Sequence, residues 1–254
     1  MDGSVARFSN RVGDYVRHRP RYPAALVDAL RADYGLRPTW QLADVGAGTG
    51  LLTQLLLTAG CAVYAVEPNQ EMRRAAEYAL GGHPGFHSVA GTAEATTLAH
   101  QSIDLITAGQ AFHWFDVEGA RREFQRILRP QGLVALVWNR RHSHGTPFLE
   151  GYEALLREFG IDYLQVDHTH TVDERRFAQF FGQGGYRVLS FPNRQLLDFE
   201  GVRGRLVSTS YMPAPDHPRF GAMLAGLRDL FDRCADAGRV TMVYDTEIYI
   251  GSPG

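Results

Sequence analysis

The amino-acid sequence predicts an α/β protein: a seven-stranded, mostly parallel sheet with helices on both faces and a small cap. Three observations carry this expectation. Short apolar runs of strand length recur, such as AVYAV at 62–66 and LVALVW at 133–138. Segments with apolar residues at helical spacing alternate with them. A turn with three glycines, Gly46, Gly48 and Gly50, joins the first run to the helical segment that follows. Continuous apolar strands separated by helices signal a parallel sheet covered on both faces. In such sheets a ligand sits outside the carboxyl ends of the strands, near the point where strand order reverses.

Each element follows from local signals. Residues 1–23 read as an irregular or helical lead-in ending at Pro20 and Pro23. A helix over 24–35 stops at Gly35. A buried strand covers 40–48, and the helix over 51–60 closes on Gly60. The second strand spans 61–69, and Asn69 is placed to cap the helix that follows, over 70–80. The third strand is expected over 86–95 and the fourth from 102, leaving into a loop by 115. The helix over 117–132 is expected to stop at Pro130 and Gly132, and LVALVWN at 133–139 forms the fifth strand. Beyond Asn139 the pattern loosens. Helices are expected over 146–160 and 173–185 and a strand over 186–199. A short helix and a proline-punctuated loop cover 201–218. A long amphipathic helix over 219–238 precedes a closing strand over 239–251. That ending strand–helix–strand would complete the sheet with an antiparallel edge. The whole chain, 1–254, reads as a single domain, with 142–172 and 200–218 as candidate cap insertions.

Composition excludes several classes. A chain of 254 residues with 44% hydrophobic residues can bury a sizeable core. Its formal net charge of -2 gives no electrostatic case for a nucleic-acid partner or an anionic membrane surface. All 26 basic residues are arginine, which rules out a Schiff-base lysine and the lysine of a P-loop. Cys61 and Cys234 lie too far apart for a metal or redox motif. Two thiols in a chain of this size look cytosolic. The arginine-rich N-terminus lacks an apolar signal-peptide region, and no apolar run is long enough to span a bilayer. A soluble cytoplasmic protein is expected.

The glycine turn, LADVGAGTGLLTQLL from 42 to 56, lets backbone approach a ligand closely. Three ligand chemistries compete for it. A dinucleotide fingerprint counted from Gly46 would need a third glycine at position 51, which is Leu51. A P-loop needs a lysine. The loop D-x-G-x-G-x-G of class I S-adenosylmethionine methyltransferases fits at every position, through Asp44, Gly46, Gly48 and Gly50, with Ala47 between. A nucleoside ribose wants a carboxylate at the end of the second strand, about 20 residues on. Glu67 stands there. After the third strand, GTAEATTL (91–98) offers Glu94 or the backbone of Ala93 to an adenine amino group. The loop after the fourth strand starts at 108–110.

Together YVRHRPRYP, LADVGAGTG, VYAVEPNQEM, GTAEATTL, DLITAGQAFHWFD and EFQRILRPQGLVALVWN resemble the small-molecule class I S-adenosylmethionine-dependent methyltransferases. The closest resemblance is to the trans-aconitate methyltransferase and methyltransferase type 11 branch. It spans about residues 8–140 and implies the Rossmann-like fold of that class, with S-adenosylmethionine as methyl donor and S-adenosylhomocysteine as product. It implies cofactor contacts from Gly46, Gly48, Glu67, Pro68 or Asn69, Met72, Ala93, Glu94 and Gln110. It also implies that the N-terminal segment, 1–23, folds over the cofactor as a lid. Tyr15, Arg19 and Tyr22 would then line the site, Arg19 pairing the methionyl carboxylate and Tyr22 reaching the substrate.

Methyl transfer from a sulfonium is an in-line displacement, so positioning of the acceptor carries most of the catalysis. A hydroxyl acceptor would also need a base. His113, in QAFHWFD, is the base candidate, and packing on an aromatic wall is its alternative. Trp114 and Phe115 are candidate pocket walls with core packing as the alternative; Trp138 and Asn139 end the fifth strand and are expected at the pocket rim, and Tyr211 and Ser210, in STSYMP, belong to the candidate cap. His142 and His144, and Asp167, His168 and His170, fall in expected loops without metal-ligand spacing, so no metal site is expected. The expected partner is a small organic acceptor, methylated at O, N or a carboxyl group, with the protein a monomer or homodimer. The fourth strand does not end in the Asn/Asp-Pro-Pro-Tyr/Phe loop of nucleic-acid amino-methylases.

Overall fold

The computed structural model describes residues 19–161, 163, 174–209 and 211–254. It contains one seven-stranded sheet in the order β3-β2-β1-β4-β5-β7-β6. Its strands are β1 (Gln41–Val45), β2 (Ala62–Val66), β3 (Phe86–Val89), β4 (Ile103–Gly109), β5 (Leu128–Arg141), β6 (Arg187–Leu197) and β7 (Val240–Gly251). The helices are α1 (Ala25–Tyr34), α2 (Leu51–Leu57), α3 (Gln70–Leu80), α4 (Val117–Ile127), α5 (Pro147–Phe159), α6 (Glu174–Phe181), α7 (Phe199–Val207) and α8 (Phe220–Cys234). Strands β1 to β5 pair in parallel. From β1 the chain winds out to β2 and β3, then returns to lay β4 on the other side of β1. The carboxyl ends of β1 and β4 therefore flank the reversal point where ligands bind such sheets.

Burial explains the two kinds of strand. Val45 and Leu42 of β1, and Leu105, Ile106 and Ala108 of β4, are almost wholly buried, because helices cover both faces. One face packs Phe124 of α4 and Phe177, Phe180 and Phe181 of α6 onto Val45, Ile106 and Trp138. The other packs Leu26 and Leu30 of α1 and Leu52 and Leu56 of α2 onto Leu42, Leu105 and Val137. Along β6 and β7 burial alternates instead, and both pair antiparallel. The antiparallel strand is β7, inserted between β5 and the edge strand β6. Pro192 lies within that edge strand, where a missing N–H breaks no interior ladder.

Two boundaries differ most from the sequence expectation. The helix expected to reach Gly132 ends at Ile127, because Leu128 already pairs with Ile103. The chain then bulges through 129–132, with Gln131 at φ 68°, before Leu133 pairs with Leu105. The third strand ends at Val89, not 95: residues 92 and 95 pair with each other in a tight turn. The helix α3 begins as expected, with the Asn69 side chain accepting from the amides of Glu71 and Met72.

A third core forms away from the parallel strands. Leu149, Tyr152, Leu156 and Phe159 of α5 pack on Val202 and Leu206 of α7, Met223, Leu227 and Leu230 of α8, and Val240, Met242 and Tyr244 at the start of β7. Gly151 of α5 admits the Leu230 side chain at its surface.

Candidate functional site

The glycine turn hangs from the second strand. The amides of Gly46 and Ala47 donate to the carbonyl of Val66 at 2.9 and 3.1 Å. Gly46 has φ 69°, and a Cβ there would come within 2.6 Å of the Ala111 Cβ. Gly48 also has positive φ, 58°, but a Cβ there would meet nothing within 4 Å. The first glycine is thus demanded by packing, while the second marks an open side of the turn. The hydroxyl of Thr49 is buried and makes no hydrogen bond among the described residues.

Glu67 reaches the turn at Gly48. One carboxylate oxygen accepts from Gly48 N at 2.9 Å and the other from Asn69 N at 2.9 Å. Burial raises the pKa of Glu67 above the usual carboxylate value, against the two amides, which favour the charged form. The acid therefore ties the turn after β1 to the start of α3. Pro68 is exposed beside it, and its carbonyl accepts from Arg73. Met72 is buried in the first turn of α3.

Asp44 does not face the cleft, which corrects its expected place among the cofactor contacts. It is fully buried; its oxygens accept from the Thr53 hydroxyl at 2.6 Å and the Thr107 hydroxyl at 2.9 Å. It braces α2 against β4 beneath the turn. Burial pushes its pKa up to about 6 despite those two hydrogen bonds.

After β3, Ala93 is buried in the core. The Glu94 carboxylate accepts from Asp116 N at 2.9 Å, so it steadies the start of α4, where Asp116 caps Gly119.

Beyond β4 the chain turns sharply. Gln110 has φ 57°, its amide donates to Val137 O, and its side chain donates to Asn139 O at 3.2 Å. A non-glycine residue in this region is a strained position held by its surroundings. His113 and Trp114 follow in a short 3₁₀ turn, their rings 4.6 Å apart. Trp114 is 53% exposed and so is no core residue, whereas Phe112 and Phe115 are buried.

The segment entering the fold crosses this end of the sheet. The Tyr22 hydroxyl lies against Gly109, where a Cβ would fall 2.6 Å from it. Asn139 Nδ2 donates to the carbonyls of Pro20 and Arg21, and Asn193 Nδ2 donates to Arg21 O at 2.7 Å. The Thr246 hydroxyl completes the knot by donating to Asn139 Oδ1 at 2.5 Å. The Arg19 guanidinium donates to Ser208 O at 3.3 Å.

Trp138, expected at the pocket rim, lies in the core instead. It is 7% exposed and packs against Phe112, Phe177 and Tyr249. Tyr211 packs on Tyr163 within the third core, their ring centroids 5.0 Å apart and the rings tilted. Tyr15, Ser210, Asp167, His168 and His170 lie outside the described residues. His142 pairs with Asp245 at 2.8 Å. Among the described residues no group of three or more His, Cys, Asp or Glu side chains gathers as a metal site. Both cysteines are free, and among the described residues no helix is long and apolar enough to cross a membrane. Sequence reading missed Thr49, Asn193 and Thr246, whose short polar side chains carry no pattern of their own.

The sheet order, the glycine turn after β1 and the acid after β2 are the arrangement that the resemblance to class I methyltransferases implies. Comparison with known proteins agrees. Residues 43–136 match the family described as a methyltransferase domain. An uncharacterised methyltransferase-like protein of Schizosaccharomyces pombe is 27% identical over 94% of this chain and 92% of its own. An uncharacterised methyltransferase of Mycobacterium tuberculosis is 41% identical over 53% of this chain, and the match spans 52%, about half, of its own length. Among solved structures, one from Anaeromyxobacter dehalogenans, assigned as a type II methyltransferase, shares the fold. Its TM-score is 0.66, at 22% identity over 92% of this chain and 97% of that one. Residues 43–136 thus carry the methyltransferase-domain match, and the sheet has the Rossmann-like fold of this solved structure.

Proposed function

We propose that the cleft between the glycine turn, Glu67 and Gln110 binds S-adenosylmethionine, and that the chain transfers its methyl group to a small organic acceptor. The observation that carries this reading is the Glu67 carboxylate held against Gly48 N, on the side of the turn that is open. An ionised carboxylate offers about four acceptor sites, and two are taken by amides, leaving two for a ribose diol. The unpartnered Thr49 hydroxyl supplies a further polar group at the turn. Gly46, Ala47, Gly48, Pro68, Met72, Ala93 and Glu94 would form the remaining walls for the nucleoside, and Arg19 would face the methionyl carboxylate. When bound, S-adenosylmethionine supplies a methyl carbon on an already cationic leaving group.

This chain's residues then have to hold the acceptor in line and keep water out. Trp114, Tyr22 and Tyr211 are the substrate-facing candidates, with the third core as a cap over them. His113, in the turn after β4, would take a proton from a hydroxyl acceptor. A net charge of -2 favours a small molecule over a nucleic acid. Two free thiols fit a reducing, cytoplasmic setting.

Calorimetric titration with S-adenosylmethionine and S-adenosylhomocysteine tests the cleft. Wild type is expected to bind both, and Glu67→Ala to bind each about 10–100-fold more weakly. Equal affinity in the variant removes Glu67 from the ribose. Acceptors are found by following a labelled methyl group. Full rate with a hydroxyl acceptor in His113→Ala would eliminate the base.

A further inference from the structure

The third core holds a cation that neither its packing nor the cofactor cleft explains. Arg205, on α7, is partly exposed at the edge of this core. Its Nε donates to the Tyr244 hydroxyl at 3.4 Å, which donates onward to Gln195 Oε1 at 2.9 Å. Tyr152 and Tyr211 also stand close enough to interact with its charge. Among the described residues no carboxylate pairs with Arg205, and Nε is the one guanidinium nitrogen with a hydrogen-bond partner. Tyr152 is buried, and its hydroxyl makes no hydrogen bond among the described residues.

The same core treats its other arginine differently. Arg141 pairs with Glu153 at 2.5 Å, and Glu153 also accepts from the Tyr163 hydroxyl at 2.9 Å and from Arg157 at 2.8 Å. A cation held among tyrosines, with two guanidinium nitrogens free of protein partners among the described residues, is open to a ligand of opposite sign.

The position fits an acceptor. Tyr244 pairs with Arg141, the last residue of β5, so it stands beyond the carboxyl edge of the parallel strands. Arg205 lies one turn before Ser208, whose carbonyl receives Arg19. From Arg19 the chain runs directly to Asn139 and Gly109 at the proposed methyl-transfer cleft.

We propose that Arg205, with the hydroxyls of Tyr152 and Tyr244, anchors a carboxylate of the methyl acceptor. This rests on the methyltransferase reading of the adjoining cleft. A carboxylate matches the planar guanidinium fork and brings one negative charge to one unpaired cation. A phosphate monoester brings close to two, leaving the second without a partner.

The test titrates the S-adenosylhomocysteine-loaded protein with succinate, glutarate, benzoate and phenylacetate, each against its neutral amide, and with phenyl phosphate. At least one carboxylate is expected to bind, its amide about 10–100-fold more weakly. Arg205→Met should lose the carboxylate by a similar factor, Arg205→Lys less, and Tyr152→Phe severalfold, all with unchanged affinity for S-adenosylhomocysteine. Where Arg205→Met fails to fold, Tyr152→Phe, which removes one oxygen, decides. Binding of no carboxylate, equal binding of amides, preference for the phosphate ester, or unaffected variants overturns the proposal. Failure of the methyltransferase reading looks different: wild type would not bind S-adenosylhomocysteine. The same titrations on the ligand-free protein would then judge the anchor alone.

Discussion

Asp44 sits where a negative charge is expensive, and its replacement by asparagine gives a sharp test of the site's foundations. The carboxyl is fully buried, and burial lifts its pKa from an ordinary 3.8 to about 6, against hydrogen bonds from Thr53 and Thr107 and with a small push from the Glu67 charge. The folded protein therefore holds this proton more tightly than the unfolded chain does. Stability from this group is complete below about pH 3.8 and is lost as pH rises through about 6. The difference between 3.8 and about 6 amounts to about 3 kcal/mol by neutral pH, of which about 2 kcal/mol falls between pH 4.5 and 7.5. An asparagine at 44 keeps one acceptor for one threonine and offers an N–H to the other hydroxyl, so the hydrogen bonds survive without the charge. Urea unfolding of wild type and Asp44→Asn at several pH values gives the difference in stability, in which the other titrating groups largely cancel. The variant should gain about 2 kcal/mol on wild type between pH 4.5 and 7.5. A constant difference across that range, or one that shrinks as pH rises, would refute the claim that Asp44 is a buried, reluctantly charged brace.

Other substitutions separate packing from binding. Gly46→Ala, at positive φ and 2.6 Å from Ala111, should lose about 2–4 kcal/mol in urea unfolding. Gly48→Ala meets nothing and should lose only about 1 kcal/mol, while binding S-adenosylhomocysteine at least about tenfold more weakly by calorimetry. Trp138→Ala should cost about 3–5 kcal/mol in unfolding and leave S-adenosylhomocysteine affinity within about twofold, since it packs among Phe112, Phe177 and Tyr249. Asn193→Ala removes the 2.7 Å hold on Arg21 O, so trypsin should cut after Arg21 several times faster, as followed by mass spectrometry.

The parallel half of the fold was legible because burial on both faces leaves no alternative to continuous apolar strands, and the glycine turn marks where the first of them ends. The cap half was harder. Amphipathic spacing in 219–238 announces that a helix has a buried face, but not what covers it; α8 packs on α5 rather than on the parallel strands. Side-chain direction was the other gap. Trp138 and Asn139 are neighbours on β5, and a strand sends neighbours to opposite faces. One therefore joins the aromatic core, while the other holds the incoming segment at Pro20 and Arg21. Arg205 carries no motif at all; only the fold reveals that tyrosines from α5, the segment after α7, and β7 converge on it.

The three acids at strand ends show how the same residue type divides its labour once geometry is fixed. Asp44 points into the sheet and braces α2 against β4; Glu94 reaches the start of α4; Glu67 alone touches the open face of the glycine turn. Asp44 is paired in register with Thr107 of β4 and with Ala65 of β2, so its side chain emerges between two covering layers. Glu67 lies just past the end of β2, where the ladder stops and the backbone can swing its carboxylate toward the turn. Its two amide partners belong to different connections, one after β1 and one after β2. A ligand that engaged Glu67 would meet an acid already oriented by both, so little ordering of the side chain would be left to oppose binding. On the proposed reading, that is why the glycine turn and this acid work as one unit: the main chain positions the carboxylate, and the carboxylate holds the turn open to the nucleoside.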